Sequence, residues 1–473
     1  MRPSWVVPTL AGYPKVGILP LLTAWRQTFI EVWAVDQSRV GLIGRKDWMN
    51  AEHNRRVAVV VLGDFGRSPR MQYHALALAD SRIEVDVVAY AGSAPLPALR
   101  EHPRVRLHLV RPPRLWQKAG LPSALVAALM ALRVCKQSLQ LLWMLGLRVP
   151  KPDFILVQNP PAIPTLLVAL IAARARSARL VIDWHNFGCS MLAMQLRQGN
   201  PALRLARWYE QSLGRRGDGH LCVSKAMRSE LAEHWGIPGA IVLYDRPAAQ
   251  FVPTPPDVRQ NLFRRIGASL DFPCDRDRRP GLIVYPTSWT ADEDFSLLLE
   301  AAAKCDEMIS CHDQGHANDS FTHLLIVITG QGPLRDRYQQ EIARLRLKKV
   351  HLRTLWLAPE DYPLMLGAAD LGLCCHRSSS GFDLPMKLAD LIGAGVPVLA
   401  LNYSACLAEQ LDEGENGLMF GNAEQLASQL YDLFNGFPAA PRLNQLRDNV
   451  RRLRPMRWCE GWNAEAALIF AAR

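Results

Sequence analysis

From Arg55 onward, short β-branched and apolar runs alternate with stretches whose apolar positions recur at helical spacing. The runs are Val57 to Leu62, Val85 to Tyr90, Val105 to Val110, Phe154 to Gln158, Leu180 to Asp183, His220 to Val223 and Ile241 to Tyr244. Continuous apolar strands separated by helices predict a parallel sheet covered on both faces. A Pro-rich, charged segment from Arg246 to Pro280 reads as a linker. The alternation then restarts with Leu282 to Tyr285, Leu324 to Thr329, Val350 to Leu352, Leu371 to Cys375, Val396 to Leu401 and Leu418 to Phe420. The expected fold class is α/β, with two Rossmann-like, doubly wound domains at residues 55–245 and 281–440 and a linker at 246–280. Residues 441–473 read as a helical tail packing across the linker, and residues 1–54 as a leader or weak membrane anchor. Open α/β sheets bind ligands beyond the carboxyl ends of their strands, so the expected site is a cleft between the two domains.

Charge restricts the partners. The net charge is +11, and the surplus lies in the first 150 residues, with 20 Lys+Arg against 9 Asp+Glu; the remainder has 35 of each. One face is therefore suited to an anionic partner. Neither aromatic RNP-like strands nor zinc-finger spacing occurs, so nucleic acid is not an expected partner. The run Arg100, Arg104, Arg106, Arg111, Arg114 and Lys118 reads as a solvated face or a membrane-surface patch. Leu121 to Leu147, apolar apart from Arg133, Lys136 and some amides, fits both an interfacial amphipathic helix and a core helix. No apolar run reaches the roughly 20 residues of a spanning helix, and Val16 to Val35 is interrupted by Arg26 and Glu31. Ten irregularly spaced cysteines predict free thiols in a reducing compartment, with the catalytic half facing the cytosol. Cys305, Cys311, His312 and His316 match no closed zinc site, and no metal site is predicted.

Candidate chemistry gathers where strands end. The first strand runs into Gly63-Asp64-Phe65-Gly66-Arg67-Ser68-Pro69-Arg70. Such a turn fits a plain tight turn or a phosphate site built from backbone amides, a helix amino-terminus, Ser68 and the two arginines. Asp183-Trp184-His185-Asn186 closes another strand, where His185 could act as general base with Asp183 orienting it, or Asp183 could itself be the base. In the second half, Ser288 and Trp289, then Gly330-Gln331-Gly332, follow strands in turns suited to a diphosphate. Asp292, Glu293 and Asp294 most simply cap the next helix. Arg377, Ser380, Gly381 and Asp383 precede a helix on which Lys387 and Asp390 lie three apart, placing a cation for phosphate beside a carboxylate for ribose.

The run Pro385-Met386-Lys387-Leu388-Ala389-Asp390 followed by Gly393-Ala394-Gly395-Val396-Pro397-Val398 resembles the donor-nucleotide site of GT-B glycosyltransferases, with Asp390 in place of the usual ribose-binding Glu. Together with Leu62 to His74, Gln158-Asn159-Pro160-Pro161, Val181 to Asn186 and Ser288 to Phe295, the set resembles the chitobiosyldiphosphodolichol β-mannosyltransferases over residues 55–465. The resemblance implies GDP-mannose as donor, a dolichyl-diphosphate-linked chitobiose as acceptor, and β-1,4 transfer at the cytosolic face of the endoplasmic reticulum membrane. It implies no tightly bound cofactor; a divalent cation is compatible with the chemistry, but no ligand motif calls for one. Other mannosyltransferases of the pathway are conceivable partners, and another GT-B mannosyltransferase or a catalytically weak partner-binding relative are the alternative readings. Two departures stand out. Residues 1–50 lack the family's uninterrupted apolar leader, and Gln331 replaces a basic residue common in this fold, which shifts donor-phosphate contacts onto Lys387, Arg377 and backbone amides.

Overall fold

The computed structural model describes residues 55–112, 123–197, 199–270, 279–315, 321 and 323–471. The expected leader at 1–54, Arg114, Lys118, Leu121, His316 and part of the linker lie outside the described residues.

The apolar runs become strands because each is buried on both faces, which rewards β-branched residues at every position. β1 (Arg56–Asp64), β2 (Glu84–Tyr90), β3 (Val105–Val110), β4 (Phe154–Asn159), β5 (Arg179–Trp184), β6 (Gly219–Cys222) and β7 (Ile241–Val242) form a seven-stranded sheet of order β3-β2-β1-β4-β5-β6-β7. β8 (Gly281–Pro286), β9 (Leu324–Thr329), β10 (Val350–Leu355), β11 (Leu371–Cys374), β12 (Val398–Leu401) and β13 (Gly417–Phe420) form a six-stranded sheet of order β10-β9-β8-β11-β12-β13. β1 pairs in parallel with β2 and β4, Val59 lying opposite Val87 and Leu156; β8 pairs in parallel with β9 and β11. Chain order reverses at β1/β4 and at β8/β11, the switch points where doubly wound sheets open at their carboxyl ends. All six residues of β8 and of β9 are buried.

By compactness the chain divides into one unit that runs to His220 and takes in the residues from Ile469, and a second from Leu221 to Leu468. In the first, Phe470 packs edge-on against Phe154 of β4, and its carbonyl accepts from Arg55 Nη1 at 2.7 Å. The second is centred on an aromatic cluster in which Trp289 and Phe295 stack at 4.5 Å.

Two segments differ from expectation. The stretch read as linker contains the Pro256–Leu270 helix, which buries Leu262. Pro256 at its first turn is a helix starter there, not a breaker. The apolar stretch after β3 is the Ser123–Trp143 helix continued by a π turn, Met144–Arg148. Leu141 and Leu145 pack inward, as in a core helix, while Leu132 and Leu139 stand in solvent.

Candidate functional site

In the first unit the turn after β1 is held by its own carboxylate. Asp64 Oδ1 accepts from Gly66 N at 3.0 Å and from Ser93 N at 3.0 Å, and Oδ2 accepts from Ser93 Oγ at 2.9 Å. A Cβ on Gly66 would sit 2.3 Å from the Ser93 carbonyl oxygen, whereas Gly63 is uncrowded. The Gly66 amide, expected to receive a ligand phosphate, is thus satisfied internally. Ser68 Oγ donates to Gln158 Oε1 at 2.8 Å, and Arg67 is exposed.

Arg70 departs from its expected role as a diphosphate ligand. It is 2% exposed and makes a two-pronged ion pair with Asp183, Nε to Oδ2 and Nη2 to Oδ1, both at 2.8 Å. Position 70 lies on the inward side of the Pro69–Asp80 helix, where an unpaired guanidinium would be prohibitive. His74, one turn further along, places Nε2 at 3.1 Å from Asp183 Oδ2, and His185 places Nε2 at 2.7 Å from the same oxygen. Burial alone would push the Asp183 carboxyl up; Arg70, then His185 and His74, overcome this and hold it well below the usual carboxylate range. Asp183 is therefore held ionised, fully buried, with both oxygens engaged by Arg70, His74 and His185, an arrangement that fits it to orient His185. An acceptor-only carboxylate requires His185 Nε2 to carry the hydrogen, so the neutral ring offers Nδ1 to a proton. The His185 side chain is 20% exposed, against none for Asp183 and His74. Burial lowers His74, against the pull of Asp183, and keeps that ring neutral.

The segment after His185 is anchored by buried Glu210, which accepts from Asn159 Nδ2 at 2.7 Å, Gly188 N at 2.7 Å and Cys189 N at 2.9 Å. It thereby satisfies the free amides opening the Gly188–Ala193 helix. We predict that Arg70→Ala loses about 3–5 kcal/mol of unfolding free energy in a denaturant titration, as for a buried pair stripped of one partner. A variant of parental stability with only a raised acceptor KM would return Arg70 to the diphosphate.

In the second unit the turns after β8 and β9 lie backbone against backbone. A Cβ on Gly330, whose φ is +126°, would fall 1.8 Å from the Thr287 carbonyl oxygen, and one on Gly332 would fall 1.8 Å from that of Ser288. Gln331 between them is exposed. Trp289, expected as a donor contact, is instead core. It is fully buried, with φ 50°, and its indole Nε1 donates to the Gly330 carbonyl at 3.1 Å. Ser288, half-buried, donates its backbone N to Glu293 Oε1 at 3.2 Å.

Of the three acids read as helix caps, only Asp294 serves as one, accepting from Leu297 N at 3.2 Å. Glu293 is buried, accepts from Tyr285 Oη at 2.6 Å and pairs with Lys387. Lys387 is thus brought to the carboxyl end of β8, but onto a carboxylate partner. Asp292 Oδ2 meets His376 Nδ1 at 3.2 Å, while His376 Nε2 meets Asp383 Oδ2 at 3.2 Å. Burial would lower the His376 ring; Asp292 and Asp383 on its two nitrogens outweigh burial and raise it to about 9. As an imidazolium it ties the loop after β11 to the turn after β8. That loop is folded on itself: Ser378 Oγ donates to Asp383 and accepts from Gly381 N at 2.7 Å, Ser380 Oγ donates to Asp383 Oδ1 at 3.3 Å, and Gly381 takes φ +81°. Asp383 is therefore an organiser of the loop. Arg377 is exposed, with Nη2 3.3 Å from Asp294. Asp390 lies near Asp245; burial, then that neighbouring charge, raises its carboxyl well above the usual range. Such a shift favours the protonated form, which can both donate to and accept from a hydroxyl.

The His376 clamp sets a pH dependence. Its folded value of about 9 exceeds the ordinary 6.5, so the clamp is complete below pH 6.5 and is lost as pH rises through 9. We predict a donor KM that is flat up to neutral pH and climbs several-fold between pH 7.5 and about 9.5, and a His376→Gln variant with a high donor KM at every pH. A parental profile in that variant would remove the clamp from donor binding. Among the described residues no group of three or more His, Cys, Asp or Glu is set to hold a metal ion, and every described cysteine is a free thiol.

Two doubly wound sheets with polar side chains at their carboxyl ends are the architecture of GT-B glycosyltransferases, and the matches to family models place the chain in that class. Residues 66–244 match the glycosyl transferase 4-like domain and residues 284–435 the glycosyl transferases group 1 domain. The chain belongs to the chitobiosyldiphosphodolichol beta-mannosyltransferase family. It is 40% identical to the protein of that name from Mus musculus, over 86% of this chain and 87% of the relative, and 39% identical to that from Homo sapiens, over 89% and 93%. It is also 43% identical to UDP-glycosyltransferase TURAN of Arabidopsis thaliana, over 81% and 90%. Among solved structures, Anabaena HepE in complex with UDP and glucose superposes with TM-score 0.58 at 17% identity, over 85% of this chain and 95% of that one. A Rickettsia africae glycosyltransferase superposes with TM-score 0.60 at 13% identity, over 88% and 98%. These two likenesses bear on the fold alone.

Proposed function

We infer that this protein transfers mannose in β-1,4 linkage from GDP-mannose to chitobiosyldiphosphodolichol. The observation that carries the reading is the identity of about 40% with proteins named for that transfer, over most of both chains. The ionised Asp183 behind a part-exposed His185 supports it chemically, because an α-linked donor giving a β product undergoes a single inverting displacement needing one base. His185 Nδ1 takes the proton of the acceptor hydroxyl as that oxygen bonds to the anomeric carbon, and the bond to the nucleoside diphosphate breaks. The diphosphate leaves with the electron pair. The resulting imidazolium is stabilised by Asp183, 2.7 Å away. Lys387, His376 and Arg377 supply positive charge in the second unit for the departing diphosphate. Arg67 and Ser68, with Gly63 and Gly66 shaping the turn, are the acceptor-diphosphate candidates in the first unit.

The lipid acceptor puts the enzyme at a membrane surface, which we take to be the cytosolic face of the endoplasmic reticulum. The test is turnover of radiolabelled GDP-mannose by the purified chain with a chitobiosyl-diphosphate lipid, followed by β-mannosidase digestion of the product. UDP-sugars serve as competing donors, since one relative is named a UDP-glycosyltransferase. Preference for a UDP-sugar would overturn the donor, and a product resistant to β-mannosidase would favour an α-transferase. GDP binding without turnover would favour a partner-binding role.

A further inference from the structure

The Ser123–Trp143 helix and its π-turn extension bury one side from Ser138 onward and leave the opposite side unpartnered among the described residues. Leu125, Leu129, Leu132, Leu139, Trp143 and Leu147 follow one another at helical spacing on the open side, with Lys136 completing the series. Leu132 is 66%, Leu139 68% and Leu147 77% exposed. An apolar line of this length, broken only by Lys136, marks a contact rather than chance exposure.

Charge identifies the contact. Arg148 lies over the Trp143 ring at 5.3 Å. Edge strand β3 runs alongside, across an open groove of about 520 Å³ lined by Leu109, Arg111, Trp143 and Arg148. Residues 102 to 152 contain nine Lys and Arg and no Asp or Glu. A second copy would set this cationic face against itself, so self-pairing is disfavoured. An anionic phospholipid surface satisfies both features: leucines and an indole enter the boundary between headgroups and acyl chains, and Lys and Arg stems reach back to phosphates. Among the described residues no helix is long and apolar enough to cross a membrane, so this contact is of the kind that lies on the surface.

We propose that this helix is a docking ridge for anionic phospholipid, seating the first unit on the bilayer that carries its acceptor. The proposal deepens the reading of a lipid-linked acceptor, and its test is separable from that reading. The purified full chain is floated with phosphatidylcholine vesicles with and without phosphatidylserine. Leu132→Glu/Leu139→Glu lowers partitioning onto both kinds about tenfold or more. Lys136→Glu/Arg148→Glu lowers it about tenfold on the serine-containing vesicles and little on neutral ones. Both variants keep parental turnover of a short-chain, water-soluble acceptor, which shows that they are folded. Equal partitioning of the parent and both variants overturns the ridge. So does a parent that is dimeric in solution and becomes monomeric in Leu132→Glu/Leu139→Glu, which would make the occupant a second copy. Failure of the parent on the soluble acceptor, with partitioning as described, sinks the transferase reading and leaves the ridge standing.

Discussion

His185→Ala is expected to lower kcat by about 10²–10⁴ at saturating donor and acceptor, the range for loss of a general base, while donor binding to the second unit stays parental. Asp183 is fully buried and ionised, its Oδ2 receives Nε2–H from His185 at 2.7 Å, and the proton-accepting nitrogen is therefore Nδ1. Asp183→Asn should fall as far for a different reason. The carboxamide can donate to Nε2, which moves the ring hydrogen to Nδ1 and blocks the position that must accept a proton. It also leaves Arg70 without its charge partner, so that variant loses stability as His185→Ala does not. Single-turnover rates with pre-bound GDP-mannose, read beside melting temperatures, separate the two effects. Parental rates in His185→Ala would remove the ring from the chemistry.

Lys387→Ala is expected to lower kcat by about 10²–10³, as for loss of one preorganised charge at a departing anion. It also strands Glu293, whose side chain is fully buried and whose other partners are Tyr285 Oη and Ser288 N. A stability loss would therefore accompany the kinetic one and confuse its meaning. Glu293→Gln resolves this. The double variant Lys387→Ala/Glu293→Gln carries no stranded charge and should regain most of the lost stability without regaining turnover. Recovery of turnover in the double variant would make Lys387 a structural partner of Glu293 and nothing more.

The sheets were legible because burial on both faces writes itself into consecutive positions: β9 runs over Leu324–Thr329, the residues its apolar run marks out. Side-chain partnerships were not. Arg70 and Asp183 are 113 residues apart, and nothing local tells a phosphate-binding arginine from one that turns inward onto a carboxylate. Asp292 and Glu293 look like helix caps to any short-range rule, as Asp294 beside them is, because His376 and Lys387 arrive from a distant loop. His376, between Cys375 and Arg377, shows no spacing that would single it out. Glu210 and His74 escape notice for the same reason. Trp289 was misplaced because a residue in a turn after a strand suits a diphosphate contact as well as the core, and its burial and its stack on Phe295 decide.

The close approach of the turns at Thr287–Trp289 and Gly330–Gly332 limits how this protein can change. With no room for a methyl group between them, neither turn can be lengthened, shortened or restyled alone. A library randomised at positions 330 and 332 and selected for folding should return glycine at both. Variation in donor preference must then be carried by side chains such as Gln331 rather than by a remodelled backbone.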